Sequence, residues 1–284
     1  MMELVTAAEM RDLDRLTIEL GTPGHVLMER AGTGACAMLL RLFPGLTKKG
    51  VRVVVLAGKG NNGGDGFVIA RLLRKRGVRV GVWLFGSAAD VAGDARRNLE
   101  AYRSGRGDRA SLFEIEDSAD LAGLEKELAA ASCIVDAMLG TGLGSEVRGI
   151  YAAAIELVNA AAAPVFAVDI PSGLDADSGR PRGVAVRAAA TATFGYAKYG
   201  QVIHPGLEHC GALEVVDIGI AGAAVEQAPP HGALLEAADV RALLPRRAVD
   251  SHKGVAGHLL VIACLLYTSP SPRDRTRSRM PSSA

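Results

Sequence analysis

The chain has 284 residues and no long apolar run. Its most alanine-rich segment, 152–168, is broken by Glu156, Asn159 and Pro164, short of the ~20 apolar residues that a bilayer-spanning helix requires. The opening, "MMELVTAAEMRDLD", carries acids and lacks an apolar core, so it does not read as a secretory leader. Cysteine is scarce: Cys36, Cys133, Cys210 and Cys264 show no C-x-x-C spacing, which argues against a disulfide or zinc framework and for buried thiols in a reducing, cytoplasmic setting. An excess of either charge is also missing. The formal net charge of +1 gives no reason to expect nucleic acid or a membrane as partner. Aromatics make up only 4% of the residues. Alanine carries much of the 49% hydrophobic content, which suits close packing of helices on a sheet.

What is present is a rhythm of helices and apolar strands. Thr6-Ala7-Ala8-Glu9 is a capping box, and Met10, Leu13, Leu16 and Leu20 follow at helical spacing up to Gly21. A second helix is expected over 24–42. Strands are expected at 51–57, 78–85, 132–139 and 164–169, alternating with helices at 66–76, 90–103 and 150–162; further strands follow at 190–196 and 213–220. Continuous apolar strands separated by helices imply a parallel sheet covered on both faces. The expected fold is therefore α/β, a three-layer Rossmann-like, doubly wound, mostly parallel sheet. Residues 221–233, "AGAAVEQAPPHGA", have the composition of a linker, and the pattern restarts with a short helix near 236–244 and "SHKGVAGHLLVIA". From Cys264 onward the periodicity is lost, and Cys264 to Asp274 resembles a translated sequencing adaptor. That tail sets four arginines against one aspartate; without its +3 the remainder carries −2.

Three polar, glycine-rich stretches follow strands. "GKGNNGGDG" places G-x-G-x-x-G at Gly58, Gly60 and Gly63, with Asn61, Asn62 and Asp65 inside. Such a turn lets backbone amides approach an anion at a helix N-terminus, but alone it is a weak signal. A dehydrogenase would also place an acid at the end of the next strand to hold the ribose. That strand ends in Phe85-Gly86-Ser87, and Asp90 comes too late. The second stretch runs from Asp136 through "GTGLGSE", Gly140 to Glu146. In the third, "VFAVDIPSGLDADSG", Asp169 ends a strand and Ser172 follows in a tight turn. Ligands of open parallel sheets bind beyond the carboxyl ends of the strands, where all three stretches project.

With "AEMRDLDR", "VRGIYAAAIELVN" and "TFGYAKYGQVIHPG", these motifs resemble the NAD(P)H-hydrate epimerase family, the N-terminal module of bifunctional NAD(P)H-hydrate repair enzymes, over residues 3 to about 220. The resemblance implies an isomerase that interconverts the epimers of NADHX and NADPHX at C6 of the nicotinamide ring, acting as a homodimer. It implies an epimerase domain at 1–222 and the beginning of an ADP-dependent dehydratase module at 236–263; with the compositional reading these leave a linker at 223–235 and a non-native tail at 264–284. ADP or ATP would matter only to a complete dehydratase module. The substrate would be held by Asn61, Asn62, Gly63, Gly64, Asp65, Gly140, Thr141, Gly142, Leu143, Gly144, Ser145, Glu146, Tyr151 and Asp169. One K+ per subunit would be held by Asn62, Asp136 and Ser172, all oxygen donors suited to a hard cation.

Asp169 is the expected catalytic proton donor and acceptor, with burial raising its pKa and the cation opposing the rise. The family usually has asparagine in "LMENAG", where this chain has Arg30. Lys198 is expected to be a loop lysine at the site edge, His204 a turn histidine, and Asp175 a turn cap. Two other readings of the chain are an NAD(P)-dependent oxidoreductase and a non-catalytic nucleotide-binding module.

Overall fold

The computed structural model describes residues 1–104 and 111–244. Met1–Glu236 form one compact unit and a second begins at Ala237. The elements of the first unit, in chain order, are β1 (Met2–Val5), α1 (Ala7–Glu19), α2 (Gly24–Leu42), β2 (Arg52–Ala57), α3 (Asn61–Lys75), β3 (Arg79–Phe85) and α4 (Gly93–Arg103). Next come β4 (Ser111–Ile115), α5 (Leu121–Ala129), β5 (Cys133–Ala137), α6 (Gly149–Ala160), β6 (Val165–Val168), β7 (Ala190–Phe194) and β8 (Ala197–Lys198). The short α7 (Tyr199–Val202) and α8 (Gly206–Cys210), β9 (Ala212–Val216), α9 (Gly222–Gln227) and β10 (Gly232–Leu234) complete it. Of the second unit, the described residues form one helix, α10 (Ala237–Leu243). The stretch "SHKGVAGHLLVIA" and the arginine-rich tail lie outside the described residues.

Seven strands form a sheet in the order β4-β3-β2-β5-β6-β7-β9, parallel throughout. It is the doubly wound α/β arrangement expected. β2 shows why its apolar run is continuous: Val53, Val55 and Ala57 join the core on one face with Phe67 and Leu73 of α3, while Val54 and Leu56 join the core on the other with Ile155 and Val158 of α6. The chain builds outward from β2 through β3 to β4, then returns to place β5 on the other side of β2. The loops after β2 and β5 therefore diverge, and the crevice between them is the ligand position typical of such sheets.

The capping box of α1 is formed: Glu9 N donates to Thr6 Oγ1 at 3.1 Å and Thr6 N donates to Glu9 Oε2 at 2.6 Å. Three expectations shift. First, α3 begins at Asn61, not residue 66, so most of the glycine-rich turn is the first turn of the helix. Its tight seat has a steric cause: a Cβ on Gly58 would lie 2.0 Å from the Met138 carbonyl oxygen, and one on Gly63 1.8 Å from the Gly58 carbonyl oxygen. Second, residues read as a linker are structured. Ala224 of α9 is buried with Leu13 of α1, and β10 pairs antiparallel with β1. Polar and proline-rich composition hid the short strand, whose partner is at the other end of the sequence. Third, β1, β4 and α5 escaped notice because each is short; β1 pairs in parallel with β8, making a separate three-stranded sheet.

Gly63→Ala is expected to destabilise the protein by about 3 kcal/mol or more, because backbone must move to admit the methyl group. Gly60→Ala, with no heavy atom within 4 Å of the new Cβ, is expected to cost about 1 kcal/mol or less as an N-cap change. Chemical denaturation of the two variants checks both; similar losses would contradict the packing role assigned to Gly63.

Candidate functional site

A cavity of about 700 Å³ opens at the crevice between the loops after β2 and β5. Its wall includes Asn61, Asn62 and Asp65 at the start of α3, Gly140 to Ser145 after β5, Tyr151 of α6, and Asp169 after β6. Eleven of the expected substrate residues thus reach one space, Tyr151 at its side with its ring stacked on Phe85 at 5.1 Å. Gly63, Gly64 and Glu146 do not line it. The two glycines are buried in the packing of α3, and Glu146 turns outward to pair with Arg148 at 2.6 Å.

Asp169 holds the most constrained position. It is the one non-glycine residue with positive φ (62°) among the described residues, a conformation that costs energy and persists only where surroundings impose it. Its Oδ1 accepts from Lys198 Nζ at 2.5 Å, Phe194 N at 3.2 Å and Thr193 Oγ1 at 3.3 Å, and its carbonyl accepts from Gln201 Nε2 at 2.7 Å. Lys198 is not the edge lysine expected. It is fully buried, and its ammonium donates also to Thr193 Oγ1 at 2.8 Å and to the Phe194 carbonyl at 3.2 Å. Asp169 is therefore ion-paired with this lysine, held in place by β8 in the small sheet. A long side chain in "YAKYGQ" gives no sign in sequence of turning inward.

The three residues expected to hold a cation are also brought together. Asp136 is fully buried on β5; its carboxylate accepts from Ser172 N at 2.7 Å and Ser172 Oγ at 2.5 Å. Leu139 links the group, its N–H donating to Ser172 Oγ at 2.9 Å and its carbonyl accepting from Asn62 Nδ2 at 3.1 Å. Asn62 Oδ1 is buried and has no partner, an oxygen that protein alone leaves unsatisfied. Burial pushes the Asp136 pKa up to about 6, against the pull of its Ser172 and Met138 hydrogen bonds. One carboxylate among neutral oxygens suits a monovalent hard cation. Among the described residues there is no group of three or more His, Cys, Asp or Glu arranged to hold a metal.

Asp65, Asp14 and Asp94 also line the cavity. Asp65 is 7% exposed, and burial, with the negative charges of Asp169 and Asp14, drives its pKa well above the usual range despite Lys198. Asp14 of α1 was not singled out from the sequence at all. Its Oδ1 is buried without a hydrogen-bond partner, and burial raises its pKa to about 6, with Lys198 pulling it down and Asp169 pushing it up. The only sequence signal was an aspartate one residue after the apolar Leu13 in an amphipathic helix. By contrast, Asp175 is structural, as expected: it accepts from Asp177 N, Ser178 N and Arg182, and these bonds bring its pKa to about 2 although burial works to raise it. His204 is an exposed turn residue preceding a cis proline, and Arg30 is exposed with Nη1 donating to the Ile218 carbonyl at 3.2 Å.

Fold and site together define a doubly wound α/β protein with an acid-lined ligand pocket at its topological switch point. Residues 24–200 match the family described as YjeF-related protein N-terminus, and the chain belongs to that family. It is 43% identical over 262 residues to the bifunctional NAD(P)H-hydrate repair enzyme of Moorella thermoacetica, covering 92% of this chain and 49% of that protein. It is 41% identical over 216 residues to the NAD(P)H-hydrate epimerase of Limosilactobacillus reuteri, covering 76% of this chain and 95% of that one. The chain thus spans about half the length of the bifunctional relatives it matches. A solved yeast structure, ynu0, aligns with a TM-score of 0.68 at 23% identity, covering 82% of this chain and 96% of that one, a likeness of fold.

Because Asp14 is raised above its ordinary 3.8, its ionised form is disfavoured in the folded state. The penalty is absent below pH 3.8 and complete above about pH 6. Asp14→Asn is therefore expected to stabilise the protein at pH 7.5 by on the order of 1–3 kcal/mol, and not at pH 4. Melting temperatures at the two pH values check this; a destabilised variant at pH 7.5 would mean that Asp14 supports the fold.

Proposed function

We propose that this chain interconverts the two C6 epimers of hydrated NADH and NADPH. Support comes from relatives named NAD(P)H-hydrate epimerase that this chain covers nearly from end to end, and from the strained, ion-paired Asp169 facing a cavity large enough for the reacting end of a dinucleotide. In this reading the cavity loops bind and orient the substrate, and the dinucleotide is transformed instead of serving as a hydride carrier. The hydrate carries a hydroxyl on the ring carbon next to nitrogen. The nitrogen lone pair can expel that hydroxyl once a carboxyl group protonates it, and water returning on the other face inverts the centre. In this reading Asp169 holds or moves that proton. The oxidoreductase reading lacks its ribose acid: β3 ends at Phe85, and the nearby Asp90 is paired with Lys59 at 3.1 Å.

A potassium ion fits the oxygens of Asn62, Asp136 and Ser172, where its positive charge would offset buried negative charge. Within the same proposal the protein is a cytoplasmic homodimer, and a complete bifunctional chain adds an ADP- or ATP-dependent dehydratase. No helix among the described residues is long and apolar enough to cross a membrane.

Purified protein is expected to permit an added epimer-specific dehydratase to consume a mixed hydrate pool completely, where dehydratase alone stalls at one epimer. Asp169→Asn is expected to slow this by about 100-fold or more. It should also lower stability by roughly 3 kcal/mol, since the buried Lys198 ammonium loses its counter-charge. A pool that stalls with the parent protein refutes the reading. Replacing K+ by tetramethylammonium at constant ionic strength is expected to lower the melting temperature, and Asn62→Ala to remove that difference.

A further inference from the structure

Inversion at C6 poses a geometric problem for Asp169. The hydroxyl leaves from one face of the ring and water must return on the other. The positive φ of Asp169, its contact with Lys198 and the bond from Phe194 N hold its carboxyl in one place. It cannot swing around the ring. A second proton-transfer group is needed, approaching the cavity from another element.

Asp14 meets that requirement. It lines the same cavity from α1, whereas Asp169 enters from the end of β6. The other charged groups facing this space are Asp65 on α3, Lys198 on β8, Arg11 on α1, Asp94 on α4 and Lys59 in the loop after β2, the last paired with Asp90. Lys198 directs its protons to Asp169, Thr193 and the Phe194 carbonyl, so it does not contact Asp14. Carboxylates that serve this fold are hydrogen-bonded, as Asp175 and Asp120 are. Asp14 is not: its Oδ1 is buried without a partner. Asp65, more than nine-tenths buried on the same wall, likewise has no hydrogen bond contributing to its titration. This wall therefore leaves polar atoms open for something the protein itself does not supply.

We propose, resting on the epimerase reading, that Asp14 is the second proton-transfer group and works on the face of the nicotinamide ring opposite Asp169. In one direction a neutral aspartic acid gives its proton to the C6 hydroxyl. The C–O bond breaks with its electron pair on oxygen, water leaves, and the N1 lone pair forms an N1=C6 double bond. A solvent water adds to C6 from the other face, the double-bond pair returns to N1, and the second aspartate, as carboxylate, takes the proton released. One aspartate ends ionised and the other protonated, which arms the site for the opposite epimer. Burial holds Asp14 near the pH at which either form is accessible, and Asp169 is ion-paired with Lys198, so the two carboxyls sit in unlike surroundings.

The test follows each hydrate epimer in water enriched in oxygen-18, with the uncatalysed rate subtracted. Epimer ratio and oxygen incorporation at C6 are read together. The full chain is expected to epimerise and exchange both epimers. Asp14→Asn is expected to epimerise at least 100-fold more slowly yet still exchange the oxygen of one epimer with retention. Asp169→Asn should do the same for the other epimer. A merely structural role for Asp14 would not produce this reciprocal pattern. Asp14→Glu should recover part of the epimerisation, and Asp14→Ser carries the same exchange test if the asparagine variant fails to fold. Epimerisation by folded Asp14→Asn within threefold of the parent would overturn the inference, as would equal loss of exchange on both epimers. A parent chain that moves neither epimer overturns the epimerase reading itself, whereas an active parent beside an unimpaired variant overturns only the role of Asp14.

Discussion

The ion pair between Lys198 and Asp169 is the contact on which the site is organised. A lysine with no solvent exposure is tolerable only with all its donors engaged, and here they are: one carboxylate, one hydroxyl and one carbonyl. The same contact anchors Asp169 in a backbone conformation it would not adopt by itself. It also ties the main sheet to the small one, since Lys198 lies on β8 beside β1, and β1 leads directly through the Thr6 cap into the helix that carries Asp14. Two carboxyls that face one cavity are thus positioned by a single stretch of structure around a buried cation.

A second constraint acts through backbone. At the switch point, the loops after β2 and β5 and the first turn of α3 approach so closely that Gly58 and Gly63 have no room for a side chain. Gly58 and Gly63 of the G-x-G-x-x-G pattern serve packing here, and Asn61, Asn62 and Asp65 supply the polar wall. This accounts for a dinucleotide-like fingerprint without the ribose acid of a dehydrogenase. The same close approach sets Asn62 beside the Leu139 backbone and, through it, Ser172 and Asp136.

Much of this was legible in the chain. The alternation of helices with continuous apolar strands declared the parallel sheet, α2 fell on its expected residues, and the three polar stretches pointed to one sheet edge. Elements made by distant pairing were not legible. β1 and β10 are three or four residues long and lie at opposite ends of the first unit, so neither carries enough periodicity to be noticed alone. Lys198 and Asp14 were missed or misjudged for a related reason: a charged residue in a loop or on a helix reads as solvated unless its neighbours are known.

The sequence by itself determined the layers, the strand-end positions of the chemistry-bearing residues and, through the combination of "NNGGDG" with "DIPSGLD", the family they resemble. Those properties are local, written in periodicity and in residue types that a turn or strand end requires. Only the tertiary structure decided which charges meet. Burial and electrostatic coupling depend on what packs overhead and alongside. That is why Asp169 gained a buried lysine, Glu146 was turned outward to Arg148, and Asp14 was left facing the cavity with an oxygen that no group of the protein satisfies.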